Sequence, residues 1–312
     1  MRSKKITSIL VAAAMLTAAV PVYECYGTLN SFVSMAEGDE NTPTPPQSGN
    51  CGFYVEYSYD GNGTLTISGE GEMTEYKRTD VPWKKYMDEI HKVVFNGEIT
   101  TLSNEAFQYA SNIESITLPD SMRYIGENAF SNNKLKSVII PDSVVEINKG
   151  AFKFNDLKIV KLPANLKVIN ASAFQYNRIS KIKIPNSVVE IGTSAFENNN
   201  LQLVALPSDL KVLKPSAFAN NKLMCVIIPK SLKCIPHSAF KHNRLREVII
   251  PEGVETIQTS AFEYNNLDEV VIPNSIKTIA PNAFDETVIL KNDLVLNDII
   301  NIINDINRKK VE

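Results

Sequence analysis

The sequence predicts a β-rich solenoid of about nine 22-residue coils, with an N-terminal β-hairpin cap and a C-terminal capping helix. Three columns of residues predict it. Phe130, Phe152, Phe174, Phe196, Phe218, Phe240, Phe262 and Phe284 recur every 22 residues. Pro119, Pro141, Pro163, Pro185, Pro207, Pro229, Pro251 and Pro273 keep the same beat, as do Asn133, Asn155, Asn177, Asn199, Asn221, Asn243 and Asn265. With so strict a period, each unit buries its apolar face only against its neighbours.

The chain starts with the pattern of an export signal, assigned to residues 1–36. Arg2, Lys4 and Lys5 precede the apolar run Ile6–Val20, which is short for a membrane span of about 20 residues. Ser34-Met35-Ala36 offers a small-x-small cleavage site after Ala36, and a cut near Ala19 competes with it. An uncleaved anchor is the alternative. Cleavage leaves no membrane span expected in the mature chain. Residues 37–50, EGDENTPTPPQSGN, combine proline, acid and small polar residues, the composition of a disordered linker.

Residues 51–89 fall outside the repeat and read as the cap. Phe53–Tyr57 and Thr64–Ile67 are β-rich, and Asp60-Gly61-Asn62-Gly63 between them is a hairpin turn. The turn does not fit a calcium loop, since Leu65 and Gly71 occupy the sixth and twelfth positions, which require Gly and Glu. Trp83, the only tryptophan, belongs to the same cap. An uncapped solenoid would expose the interior of its first coil.

The solenoid is assigned to residues 90–288. A degenerate 23-residue copy starts at Ile90, and the unit Leu135–Asp156 represents the rest. Leu135, Val138 and Ile140 point inward from a first strand. Pro141 lacks an N–H and ends it. Val144 and Ile147 anchor a second short strand, and Ala151-Phe152 fill the interior. Asn155 then turns the chain, either in the left-handed conformation or by bonding exposed backbone groups. The Phe and Asn columns are therefore structural, not a ligand cage. Near-identity of residues 141–147 and 185–191 points to duplication of a two-repeat block.

Residues 289–312 are predicted to form the capping helix. Leu294, Leu296, Ile299, Ile300, Ile302, Ile303 and Ile306 recur at helical spacing, Asp293 is the N-cap, and Arg308, Lys309 and Lys310 suit the C-terminus. A partner-binding helix is the second reading, because such an apolar face must be buried somewhere.

The repeat Leu-x-x-Val-x-Ile-Pro-x-Ser-Val-x-x-Ile-x-x-x-Ala-Phe-x-x-Asn resembles the BspA-type leucine-rich repeat family of bacterial and protist surface proteins. The segment Gly63–Met73 also looks like the β-rich lead-in found before such arrays. The resemblance implies a leucine-rich repeat array in an extracellular or surface-attached protein that binds other proteins or surfaces. It transfers no catalytic residue. Here Pro follows the strand where the commonest leucine-rich repeat has Asn, so long outer helices are not expected.

The regular columns being structural, function is sought in what varies between coils. Lys158, Lys161, Lys181 and Lys183 form a basic group on two neighbouring coils, and Ala205, Ile227, Ile249 and Val271 continue the fifth strand position as an apolar row. A basic patch beside an exposed apolar row suits a protein-binding face. Ordinary solvated charge and β-propensity are the competing explanation. The net charge of −3 argues against nucleic acid as a partner. The expected partner is a protein or surface ligand, bound by a monomer and without a cofactor. Catalysis is not expected: of the three histidines, His91, His237 and His242, the latter two flank the Ala239-Phe240 turn without a carboxylate partner or a nucleophile at a recurring position, and no GxSxG, HExxH or phosphate loop occurs. A non-adhesive scaffold of a bacterial surface is the alternative role. Once the leader is gone, Cys51, Cys225 and Cys234 are odd in number and make no disulfide framework. With no CxxC, they make no zinc site.

Overall fold

The computed structural model describes residues 47–292, so the export signal and the segment from Asp293 onward lie outside the described residues. The cap comes first. Strand β1 (Gln47–Asn50) pairs antiparallel with β2 (Val55–Tyr59), which pairs antiparallel with β3 (Thr64–Glu72). The predicted hairpin is thus present, with one correction. Residues 47–50, polar enough to read as linker, form a third strand, because the edge of β2 supplies backbone partners that composition does not reveal. Asp60 makes the turn: its Oδ1 accepts from the N–H groups of Asn62 and Thr64 at 2.7 and 2.9 Å.

The cap joins the solenoid through β4 (Lys92–Leu102), which runs parallel to β3. Gly97 sits inside β4 with φ +113°, and a Cβ there would lie 2.2 Å from the carbonyl oxygen of its partner Gly69. The end of β4 then pairs with Tyr124–Ile125, and the second short strands of later coils continue this ladder in parallel at a 22-residue offset, as in Glu146↔Val168 and Glu190↔Val212. The first strands form a separate parallel ladder, as in Ser137–Ile139 against Ile159–Lys161 and Cys225–Ile227 against Glu247–Ile249. Helix among the described residues is limited to one 3-10 turn, Lys84–Tyr86.

The core lies between the ladders. Trp83 stacks on Phe107, and each ring of the Phe column stacks on the next from Phe107 to Phe284, with centroids 5.2–5.8 Å apart. Trp83 also donates from Nε1 to the Ala106 carbonyl at 2.8 Å, so the lone tryptophan is the first ring of the column. The prolines end the first strands and open turns; the Pro141 carbonyl accepts from the N–H of Val144, and each other member of the column does the same three residues on.

The asparagines act by bonding backbone groups. Asn177 donates from Nδ2 to the carbonyls of Phe152 and Phe174, at 2.9 and 3.1 Å, and its Oδ1 accepts from the N–H of Leu157 at 3.0 Å. Of these three partners Phe152 belongs to the preceding coil, while Phe174 and Leu157 belong to the coil of Asn177 itself. The left-handed residues are others: the position just before the Asn, such as Tyr176 (φ 56°), and the position two before the Phe, such as Ser172 (φ 57°). The copy that follows the degenerate first one lacks part of this network. Asn133 Oδ1 is buried without a partner, while Ile113, whose N–H would reach it, bonds Ala110 instead.

The end of the array corrects the prediction for residues 289–292. Ile289–Asn292 is a strand paired with Glu269–Ile272, at an offset of 20 residues, as in Glu269↔Ile289. An open strand edge offered backbone partners, and these override local helical preference. The predicted helix beyond Asn292 lies outside the described residues. Asp285 replaces the missing next turn: its carboxylate accepts from the N–H groups of Tyr264 and Asn265 at 2.9 and 3.1 Å.

Two outcomes follow. Asn177→Ala should lower unfolding stability by about 3 kcal/mol in urea denaturation, since it leaves buried backbone groups unpaired; an unchanged midpoint would mean that the coils hold without this side chain. Asp285→Ala should cost about 1 kcal/mol and speed amide exchange at Tyr264 and Asn265 in particular, which hydrogen-exchange mass spectrometry or NMR would detect.

Candidate functional site

The first-strand ladder positions the candidate residues. Its pleat buries every second side chain: Val138 and Val226 face the core, while Ile139 and Ile227 face out. All eight predicted surface residues, Lys158, Lys161, Lys181, Lys183, Ala205, Ile227, Ile249 and Val271, are exposed.

Charge is only partly paired from coil to coil. Residues 22 apart stand side by side on adjacent coils, and five such pairs form ion pairs: Lys136 with Glu114, Arg178 with Asp156, Lys241 with Glu263, Lys277 with Glu255, Lys291 with Glu269. Others are alike in charge, as Lys211 and Lys233, Lys222 and Arg244, and Glu247 and Glu269 are. The hydrogen bond from the partner lysine holds the carboxyls of Glu114, Glu255 and Glu263 below the ordinary carboxylate range. Lys161 and Lys183 are also 22 apart and put like charge on like. None of Lys158, Lys161, Lys181 and Lys183 makes an ion pair among the described residues. Facing like charges destabilise a sheet.

The ladder loosens in the same coils. Between Lys161 and Cys225 no strand is formed on this face, and one isolated bridge, Lys181↔Leu203, remains. Three adjoining hollows open there. One of about 490 Å³ is lined by Asp142, Lys161, Ala164 and Lys183. The next, about 720 Å³, lies among Lys181, Lys183, Leu203, Ala205 and Met224. The third, about 590 Å³, is lined by Leu203, Ala205, Cys225 and Ile227. Shared residues make them one continuous depression. Of the predicted residues, Lys161, Lys181, Lys183, Ala205 and Ile227 line it, and Lys158, Ile249 and Val271 do not. The sequence reasoning missed Leu203 and Met224, 60% and 54% exposed. Both occupy strand positions other than the fifth, and reading every outward column would have found them.

A family model described as BspA type leucine rich repeat region matches six copies, over residues 85–202 and 167–291. The chain belongs to the BspA-type leucine-rich repeat family. Among solved structures, it is similar to a leucine-rich repeat protein from Eubacterium ventriosum, with 20% identity over 78% of this chain and 95% of that one, at a TM-score of 0.38. A leucine rich cell surface protein from Faecalibacterium prausnitzii is 18% identical over 79% of this chain and 88% of its own, with a TM-score of 0.40. The pneumococcal vaccine antigen PcpA is 19% identical over 75% and 78%, at 0.41. A search of curated proteins finds no match. No helix among the described residues is long and apolar enough to cross a membrane.

Other chemistry on the BspA-type array follows the repeat. Ser238 Oγ lies 3.2 Å from His237 Nε2, a hydroxyl beside a histidine that the sequence reading did not anticipate. Ser238 is one of five serines, with Ser172, Ser194, Ser216 and Ser260, that hold the same left-handed turn position, so its presence there is structural. Exposed rings stack across coils on the turn side, Phe154 on Tyr176 and His242 on Tyr264, at 4.6 and 4.4 Å. Cys51 is buried in the cap, and burial, with a smaller contribution from the charge of Glu56, pushes its thiol up to about 12. Cys225 and Cys234 are free and partly exposed. At about pH 8, iodoacetamide should therefore modify Cys225 in the folded protein and spare Cys51 until urea unfolds the chain, because the thiolate is the reactive form. Peptide mapping after timed labelling checks this, and early labelling of Cys51 would contradict its placement.

Proposed function

We propose that this BspA-type repeat protein is an exported protein-binding scaffold, and that the first-strand face from Lys158 to Val271 is its contact surface. The observation that carries the reading is the uncompensated lysine group beside the depression. Four exposed lysines on two adjacent coils stand here without an ion pair, next to an open apolar row. Residues that weaken a fold without a local gain are candidates for function. Exposed apolar surface rimmed by charge is the ordinary composition of a recognition patch.

Export rests on the basic and apolar start of the chain, and attachment to other cells or matrix is the use that fits a surface scaffold. The cell-surface description of the Faecalibacterium structure agrees with this setting. The role needs no catalytic residue and no cofactor.

Reversing Lys158, Lys161, Lys181 and Lys183 to Glu should reduce capture of host-matrix or bacterial surface proteins by about tenfold or more, consistent with losing several charge contacts. Circular dichroism and thermal unfolding should stay unchanged, because all four side chains are exposed. Full retention of binding by the folded variant removes this face from consideration.

A further inference from the structure

We propose that the depression on the first-strand face takes an extended peptide segment of mixed character, with a carboxylate over Lys161, Lys181 and Lys183 and apolar side chains over Leu203, Ala205, Met224 and Ile227. This rests on the reading of that face as a protein contact and names the chemistry of the partner.

Charge complementarity selects one end of the ligand. Lys161 and Lys183 line one hollow together, and Lys181 and Lys183 line the next. A carboxylate between them would offset their like charge and gain charge-assisted hydrogen bonds, beside Asp142, whose Oδ1 already accepts from the Ala164 N–H at 2.8 Å. The wall composition selects the other end. From Lys183 toward Ile227 the lining turns apolar, with Leu203 and Met224 more than half exposed. A simple anion would leave that wall wet, and a purely apolar segment would desolvate lysines without a partner.

The backbone supplies a further observation. On either side of the depression the first-strand ladder closes with an inter-coil bond, from Ile140 N–H to the Lys161 carbonyl and from Ile228 N–H to the Ile249 carbonyl, both 3.0 Å. At the corresponding positions between them, the N–H groups of Leu162, Ile184 and Leu206 have no backbone acceptor among the described residues, as those of Leu118 and Ile250 farther out along the array also have none. All three residues line the depression. A peptide main chain lying there brings carbonyl acceptors to the gap.

The dimensions set the motif. From the coil of Lys161 to that of Ile227 is three coil steps, about 14 Å, the length of four or five extended residues. Alternate side chains of such a segment face the floor. The fitting pattern is Asp or Glu, any residue, then Leu, Ile or Phe, with a further apolar residue two places on.

Selection of the full chain against a displayed library of random peptides about eight residues long tests this. The expected consensus pairs an acidic residue with apolar residues at alternate positions. A synthetic peptide of that consensus should bind about tenfold tighter than its Glu→Gln or Leu→Ser versions. It should slow alkylation of Cys225, which lines the depression, and leave Cys234 unaffected. Selection on Lys161→Glu/Lys183→Glu should replace the acidic residue with a basic one. A consensus without an acid, an unchanged consensus on the charge-reversed variant, no consensus at all, or an unprotected Cys225 overturns the proposal. Equal binding of a sulfated polysaccharide or of phosphatidylglycerol vesicles, with the same protection of Cys225, overturns it in favour of a general anion site. If surface-protein capture is lost in the four-lysine variant while the peptide results are negative, only the motif fails; if capture is also retained, the reading of the face fails with it.

Discussion

The side-chain carboxamide of the repeating asparagine binds each coil to the one before it. Its Nδ2 donates to the phenylalanine carbonyls of two successive coils, and its Oδ1 accepts from the strand-opening N–H of its own coil, as Asn177 does with Phe152, Phe174 and Leu157. These groups lie at a bend where neither strand ladder reaches them. Without the carboxamide they would be buried and unpaired, a cost of about 1–3 kcal/mol each. Aspartate would lack the donor and serine the reach. The turn can therefore hold two left-handed residues, and those place Ala and Phe side by side facing inward. The stacked ring column depends on the bend, and the bend depends on the asparagine.

The two ends of the array show how the same requirement is met when a neighbour is missing. At the N-terminus Trp83 supplies the absent ring, and β3 supplies the absent strand. At the C-terminal end the carboxylate of Asp285 takes N–H groups that an interior coil would satisfy with backbone carbonyls, and Ile289–Asn292 covers the last first strand. Both ends use different residues from the interior, yet each fills the same vacancies in hydrogen bonding and ring contact. Open ends are the places where a repeat array is exposed to fraying and to edge pairing.

Much of this was legible in the sequence because interior coils meet the same surroundings, so the residues that serve them must repeat. The Phe, Pro and Asn columns, the hairpin around Asp60 and the cap position of Trp83 could be read from spacing and turn chemistry alone. Strands β1 and Ile289–Asn292 could not, because nothing in QSGN or ILKN demands a strand; the adjacent free edge does. The candidate face was legible in part. The lysines and the fifth-position row announced themselves by irregularity. The depression did not, since it arises from bonds that fail to form between Lys161 and Cys225, and a missing bond leaves no residue signature. Leu203 and Met224 are ordinary strand residues by type, and only their exposure sets them apart.

The place of the loosened ladder follows from how a solenoid distributes energy. Each coil contacts only its neighbours, so a weak junction is a local matter, and the coils beyond it keep their own asparagines and rings. A globular core would spread such a defect through shared packing. Here the buried column runs unbroken beneath the depression: Phe174 to Phe196 and Phe196 to Phe218 keep spacings of 5.5 and 5.4 Å, close to those elsewhere. The outer ladder can therefore lose bonds and carry like charges while the inner column holds the coils in register. That separation lets a regular repeat vary its surface at one place, and it explains why irregularity on the first-strand face coexists with strict regularity inside.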